Sequence, residues 1–188
     1  MTKSAYHHGD LRATLLHAAA EQVAAEGVDS ISLRALAQRA GVSHAAPAHH
    51  FGNRQGLLTE LAIEGHGLLA DELRSAAGDF REVAVAYIRF ARRYPGHFDV
   101  MFRRELLRAD DERLVAAREL SGRELRSGVS ELGVSTQGER AARLAAWSLV
   151  HGFASLWREG ALEGSELGGA DPEELARGML AAVELNAG

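Results

Sequence analysis

Residues 32–51 read SLRALAQRAGVSHAAPAHHF and predict two short helices joined by a tight turn. Ser32 is a preferred N-cap residue, and the helix that it begins runs from Leu33 to Ala40. Gly41 suits the left-handed backbone conformation that ends such a helix. A second helix is expected from His44 to Phe51. Two helices across a glycine-containing turn of this length have the layout of a helix-turn-helix.

Further helices are predicted on both sides of this stretch by capping residues, by glycines and by apolar residues spaced three or four apart. They are expected from Asp10 to Glu26, from Asn53 to near Gly78, from Asp79 to Tyr94, over Phe98–Leu106, from about Asp110, from Thr136 to Gly160 and from Pro172. Alternating patterns of β-branched and aromatic residues, which would indicate strands, are nearly absent. The sequence therefore predicts an all-α protein of about nine helices.

Composition excludes several classes of protein. Of the 188 residues, 46% are hydrophobic and none is cysteine, so disulfides, cysteine zinc sites and thiol nucleophiles are excluded. The first residues, MTKSAYHHGDLR, lack the apolar core of a signal peptide. No run of about 18 apolar residues could span a membrane. We therefore expect a cytoplasmic protein without a membrane partner.

Charge is unevenly distributed along the chain. The net charge is -5, which argues against a general nucleic-acid binder. Residues 1–60 carry five cations and five anions and hold six of the nine histidines, so the whole deficit lies in the remainder. The amino-terminal third is therefore neutral and becomes positive when its histidines are protonated.

Three stretches carry a resemblance to a known family. They are a first helix ending in AAEG, then SLRALAQRAGVS, then HHFGNRQGLL. Over about Tyr6 to Glu64 the chain resembles the amino-terminal domain of TetR-family transcriptional regulators. Residues 147–157, WSLVHGFASLW, are similar to a Trp-His-Gly pattern in the carboxy-terminal domain of one branch of that family.

The resemblance implies a division into two domains. Residues 6–66 would form a DNA-binding domain of three helices, and a fourth helix would continue from it into the next domain. Residues 67–188 would form a larger helical domain for ligand binding and dimerisation. A two-fold dimer would place its recognition helices in successive major grooves of a palindromic operator. Bound ligand would favour a spacing of the two DNA-binding domains that no longer fits DNA.

The resemblance also implies two groups of DNA contacts. Phosphate contacts are implied for Ser32, Arg34, Ser43, His50 and Arg54, and base contacts for His44, Ala45, Ala46 and His49. The family commonly has a tyrosine where this chain has Ala48, so one phosphate contact is missing. Alanine methyl groups suit thymine, and histidine suits guanine or phosphate. With so few polar side chains to read bases, we expect DNA shape to contribute to specificity.

An aromatic set further along the chain is the candidate lining of an effector site. It comprises Tyr87, Phe90, Phe98, Met101, Phe102, Trp147 and His151. Any one of these residues is more often ordinary core than ligand lining, although His151 inside an apolar helix would need a polar partner. That helix has two apolar stripes, which predicts one side packed on its own domain and the other, with the last helix, on a second subunit.

The sequence thus favours a ligand-responsive repressor that binds a palindromic operator as a homodimer, through the last two helices, and is released by a small apolar or amphipathic effector. One alternative is a sensor or interaction module with a vestigial DNA-binding head. Another is an enzyme with His151, Glu105 or Asp99 as a base. Because no catalytic triad order, phosphate loop or metal motif is present, we expect no enzyme, no catalytic residue, no metal and no cofactor.

Overall fold

The computed structural model describes residues 11–130, 136–167 and 169–182, without the side chains of 128–130, 136, 137 and 139. These residues form nine α-helices and two 3₁₀ turns and contain no strand, which confirms the all-α prediction. The helices are α1 (Leu11–Glu26), α2 (Leu33–Arg39), α3 (Ala45–Phe51), α4 (Arg54–Ser75), α5 (Phe80–Arg93), α6 (Pro95–Met101), α7 (Glu112–Ser130), α8 (Thr136–Arg158) and α9 (Pro172–Ala182). Asp10 and the side chain of Thr136, at which two of the predicted helices begin, lie outside this description.

The chain divides into two compact units. One comprises the residues up to Gly65 together with Tyr94–Val115, and the other comprises His66–Arg93 together with the residues from Ala116 onward. The sequence placed a boundary at residue 66 but assigned everything after it to the second domain. The structure instead returns α6 to the first unit, where it packs against α1.

A glycine allows this close approach of α6 to α1. A Cβ atom on Gly96 would lie 2.0 Å from the carbonyl oxygen of Ala20, well inside any real contact. Phe98 and Met101 on α6 are consequently buried in the first unit. The Tyr94-Pro95 junction in the sequence does not reveal this packing, because the contact joins residues more than 70 positions apart.

The helix-turn-helix is built as the sequence predicts. Ser32 caps α2, because its hydroxyl oxygen accepts a hydrogen bond from the Ala35 amide at 3.1 Å. Gly41 has a φ of 65°, the left-handed conformation that the turn requires. Ala37 is fully buried, and its small side chain lets α2 lie close to its neighbours. Helix α3 begins at Ala45, one residue later than expected.

One predicted helix is interrupted. The face Phe98–Leu106 was expected to be continuous, but α6 ends at Met101 and a separate 3₁₀ turn covers Arg104–Leu106. Between them Arg103 takes a φ of -88° and a ψ of 72°, which is outside the helical region. Helix α7 then begins at Glu112, with Asp111 accepting a hydrogen bond from the Arg113 amide at 2.9 Å.

The second unit is held together around α5, which packs against α8 and α9. Arg89 of α5 pairs with Glu173 of α9 at 2.9 Å. Asp79 accepts a hydrogen bond from the Arg81 amide at 2.8 Å, as a capping residue should. Glu82 stands three residues after Asp79, where it could complete a capping box, but it pairs with Arg177 of α9 at 3.1 Å instead. Local sequence patterns do not predict this pairing, because Arg177 lies 95 residues further along the chain.

No helix in the described part of the chain is both long and apolar enough to cross a membrane.

Candidate DNA-binding surface

The recognition helix α3 is anchored by one side and exposed on the other. Pro47 and Phe51, one helical turn apart, are buried. Pro47 is the third residue of α3, where the backbone N–H has no partner within the helix, so proline costs no hydrogen bond there. Ser43, His44, Ala45 and His49 are exposed, whereas Ala46 and His50 are half-buried.

Sequence reasoning missed one residue of this exposed face. Ala48, noted only because it replaces a tyrosine, is exposed together with Ala45 and His49. The helical period could have shown this, because with Pro47 and Phe51 inward Ala48 and Ala45 fall outside. The rings of His49 and His50 lie edge to face, with centroids 5.5 Å apart. Of the two, His49 is the more open to a ligand.

Two predicted phosphate contacts lie at the beginning of α2. Ser32 is exposed, although its hydroxyl oxygen is already engaged in capping. Arg34 is exposed within the first turn of the same helix. Both residues are therefore open to solvent beside the turn that leads to α3.

Arg54, another of the predicted phosphate contacts, is engaged within the protein. Its Nε donates to the carbonyl of Ile31 at 3.0 Å, and its Nη2 donates to the carbonyl of Val28 at 2.7 Å. The exposed carboxylate of Asp29 lies 3.6 Å away. Arg54 thus ties the beginning of α4 to the segment that precedes α2.

The aromatic set predicted from the sequence is divided between the two units. Phe98, Met101 and Phe102 belong to the first unit, where the Phe98 and Phe102 rings lie 5.5 Å apart. Tyr87, Phe90, Trp147 and His151 belong to the second. The prediction treated all seven as a single cluster, because sequence alone did not show that α6 packs on α1.

Three of the second-unit residues form a connected group. The Tyr87 hydroxyl lies 2.9 Å from Nδ1 of His151. Trp147 and His151 also stack, with centroids 5.5 Å apart. Burial raises the pKa of Tyr87 and lowers the pKa of His151, so both groups are neutral near pH 7. His151 has the polar partner that its place in an apolar helix required.

Helix α8 has one buried and one exposed apolar side. Ala146, Val150 and Ala154 are buried within the second unit, whereas the side chains of Leu144 and Leu156 are 61% and 47% exposed. The sequence pattern places Leu144 and Ala154 on one apolar stripe, but the structure buries Ala154 and exposes Leu144. Part of the apolar surface of α8 is therefore not covered by the second unit.

Two family models match this chain. One, described as the tetracyclin repressor-like carboxy-terminal domain, matches residues 80–183. The other, described as bacterial regulatory proteins of the tetR family, matches residues 15–61. The first alone covers more than half of the chain. The chain belongs to the TetR family.

Similar proteins support this assignment. The HTH-type transcriptional regulator YobS from Bacillus subtilis is 28% identical over 163 residues, which cover 81% of each chain. A protein of unknown function from Rhodococcus sp. RHA1 is 32% identical over 96% of both chains, with a TM-score of 0.72. The TetR-family regulator PfmR from Thermus thermophilus shares the fold, at 23% identity over 87% and 93% of the two chains and a TM-score of 0.65. The protein is thus a transcriptional regulator with a DNA-binding helix-turn-helix, as its sequence predicted, and its family consists of regulators rather than enzymes.

Proposed function

We propose that this TetR-family regulator represses transcription by binding a palindromic operator as a homodimer. The observation that carries the proposal is the exposed side of α3, where His44, Ala45 and His49 are open to solvent while Pro47 and Phe51 fix the helix in the first unit. Ser32 and Arg34 are exposed at the beginning of α2 and would hold DNA phosphates. Together they supply both base and backbone contacts.

The homodimer would form through α8 and α9. Leu144 and Leu156 are exposed on α8, and Gly152 between them has open space where a Cβ would stand. Large exposed apolar side chains around a small residue suit the close packing of a second helix. A second copy of the same surface, related by a two-fold axis, would bury these leucines.

The effector would be a small apolar or amphipathic molecule bound by the second unit. Tyr87, Trp147 and His151 place a hydrogen-bonded polar group among buried apolar residues of α5 and α8. Such a combination suits a ligand that is largely apolar but has one or two polar atoms. Its binding would change the relation between the two DNA-binding domains of the dimer and so release the operator.

The experiment is a selection of binding sites from random duplex DNA with the full-length protein. A recovered palindrome, with an affinity that falls steeply with salt because several phosphates are contacted, would support the proposal. Small apolar compounds would then be screened for release of that duplex. A selection that enriches no site would overturn operator binding, and the function would then have to be sought in ligand binding by the second unit.

A further inference from the structure

Arg108 lies beside the recognition helix, although it comes from far outside the helix-turn-helix sequence. Its Nη2 donates a hydrogen bond to Oδ1 of Asn53 at 3.2 Å. The same nitrogen would lie 3.5 Å from a Cβ on Gly52 and 2.9 Å from one on Gly56, so it fills the space that these glycines leave. The guanidinium group therefore sits where α3 ends and α4 begins.

The backbone around Arg108 is fixed to α4. The Arg108 amide donates to Oγ1 of Thr59 at 3.0 Å, and Thr59 is buried. Gln55 Nε2 donates to the carbonyl of Leu107 at 3.2 Å. All of these residues belong to the first unit. The position of the guanidinium is thus set by contacts to α4, the helix that follows the recognition helix α3.

The charge of Arg108 is not neutralised by the protein in the way that other arginines are. Arg12 and Arg113 of the same unit both pair with Glu60, and Arg39 pairs with Glu26. Among the described residues Arg108 pairs with no carboxylate, and its side-chain partner is the neutral amide of Asn53. A guanidinium has a full charge and five N–H donors in a planar fork that matches phosphate.

The sequence predicted Arg54 as a phosphate contact near this junction, but its guanidinium is bound by the protein itself. Arg54 donates to the carbonyls of Val28 and Ile31. It holds the first unit together, and its guanidinium is turned to the protein. Arg108 is the neighbouring cation at the junction of α3 and α4. Among the described residues its guanidinium donates to the side chain of Asn53 and to no backbone carbonyl.

We propose that Arg108 binds a phosphate of the DNA backbone next to the groove that α3 enters. The proposal rests on the proposed function, since it assumes that α3 binds duplex DNA. Arg108 fixes the register of α3 on the duplex and contributes affinity without reading bases. The DNA-binding surface therefore includes a residue that lies within the range matched by the carboxy-terminal family model.

The test compares the native protein with Arg108→Gln on the duplex recovered by selection, by fluorescence anisotropy across a salt series at fixed pH. Each lost phosphate contact lowers the slope of log affinity against log salt by about 0.9. A dimer loses two contacts, so we expect the slope to fall by about 2 and affinity to fall similarly on matched and mismatched duplexes. Arg81→Gln, which removes one exposed cation of the second unit, is the control and should leave the slope unchanged.

The folding of Arg108→Gln is checked by thermal unfolding, because Arg108 also contacts Asn53. Arg108→Lys keeps the charge without the planar fork and should recover part of the lost slope. If the native protein binds the duplex but Arg108→Gln keeps the native slope, the phosphate contact is overturned and Arg108 only supports α4. If Arg108→Gln and Arg81→Gln lower the slope equally, the effect is one of net charge and the contact is likewise overturned. If the native protein binds no duplex, the proposed function itself fails.

Discussion

His66 is a buried histidine of the second unit that no sequence pattern singled out. Its side chain is on α4, and its Nδ1 lies 2.9 Å from Oγ of Ser121 on α7. Burial, and next the positive charge of Arg118, lower its pKa from 6.5 to about 4. The native protein therefore holds this imidazole neutral at a pH at which an unfolded chain would already protonate it.

This difference predicts a loss of stability in mild acid. The unfolded chain takes up the proton near pH 6.5 and the native state only near pH 4, so stability falls as pH drops through that interval. The loss attributable to His66 is about 3 kcal/mol at full extent. His66→Asn should reduce the difference between the free energies of unfolding at pH 7 and pH 4.5, measured by urea denaturation. His151, whose pKa burial also lowers, retains part of the dependence.

The matched control is His17→Asn, since the His17 side chain is 76% exposed on α1. It should leave the pH dependence of unfolding as in the native protein. An equal pH dependence in His66→Asn and in the native protein would show that His66 is not the responsible group.

The histidines of α3 and its N-cap predict a second pH effect, on DNA binding. His44 and His49 are exposed on the recognition face, and histidine side chains gain positive charge between about pH 8 and pH 6. Affinity for a duplex should therefore rise over that interval at fixed salt. The double substitution His44→Gln with His49→Gln should flatten the profile. A native affinity that stays constant from pH 8 to pH 6 would refute the effect.

The contact between helices α1 and α6 depends on Gly96. A Cβ there would meet the backbone of Ala20, which cannot move aside as a flexible side chain would. Gly96→Ala should destabilise the protein by about 1–3 kcal/mol, the usual cost of overpacking. Thermal unfolding followed by circular dichroism measures the change.

Gly67 provides the opposite case within α4. A Cβ on Gly67 would meet nothing within 4 Å, and alanine is the better helix former. Gly67→Ala should therefore stabilise the protein by about 0.5–1 kcal/mol. If Gly96→Ala instead leaves the melting temperature unchanged or raises it, as Gly67→Ala should, the close approach of α6 to α1 is wrong.

Elements defined by local chemistry could be predicted from the sequence, whereas those defined by distant partners could not. Ser32, Gly41 and Pro172 mark helix ends because a cap, a left-handed turn and a fixed φ act within a few residues. The break after Met101 has no such marker in the sequence. The place of Arg108 depends equally on Asn53 and Thr59, about 50 residues away, so neither feature has a local signal.

The candidate site shows the same division. The exposed side of α3 follows from helical periodicity, and the pairing of His151 with a polar group follows from the cost of burying an unbonded imidazole. Which partner it takes, the Tyr87 hydroxyl, is set by the packing of α5 on α8. The engagement of Arg54 with two carbonyls was also not foreseeable, since backbone acceptors leave no trace in the sequence.

The proposed regulator requires a second copy of the chain. Leu144→Glu combined with Leu156→Glu places charges on the exposed apolar side of α8, where burial against another subunit would be costly. We expect this variant to be a monomer at concentrations at which the native protein is a dimer, as measured by sedimentation velocity. Val115→Glu, which changes another exposed apolar residue, on α7, is the control. An unchanged sedimentation coefficient for the double variant would place the dimer interface elsewhere.

Recognition of a palindrome by two related subunits can be tested by one binding measurement. The duplex recovered by selection is titrated with the native protein alongside a duplex in which one half-site is scrambled. We expect two subunits to bind the intact duplex and scrambling of one half-site to weaken binding by at least about 100-fold, since each mismatched base pair costs about 1–3 kcal/mol. Equal affinity for the two duplexes would show that the protein does not recognise a palindrome as a dimer.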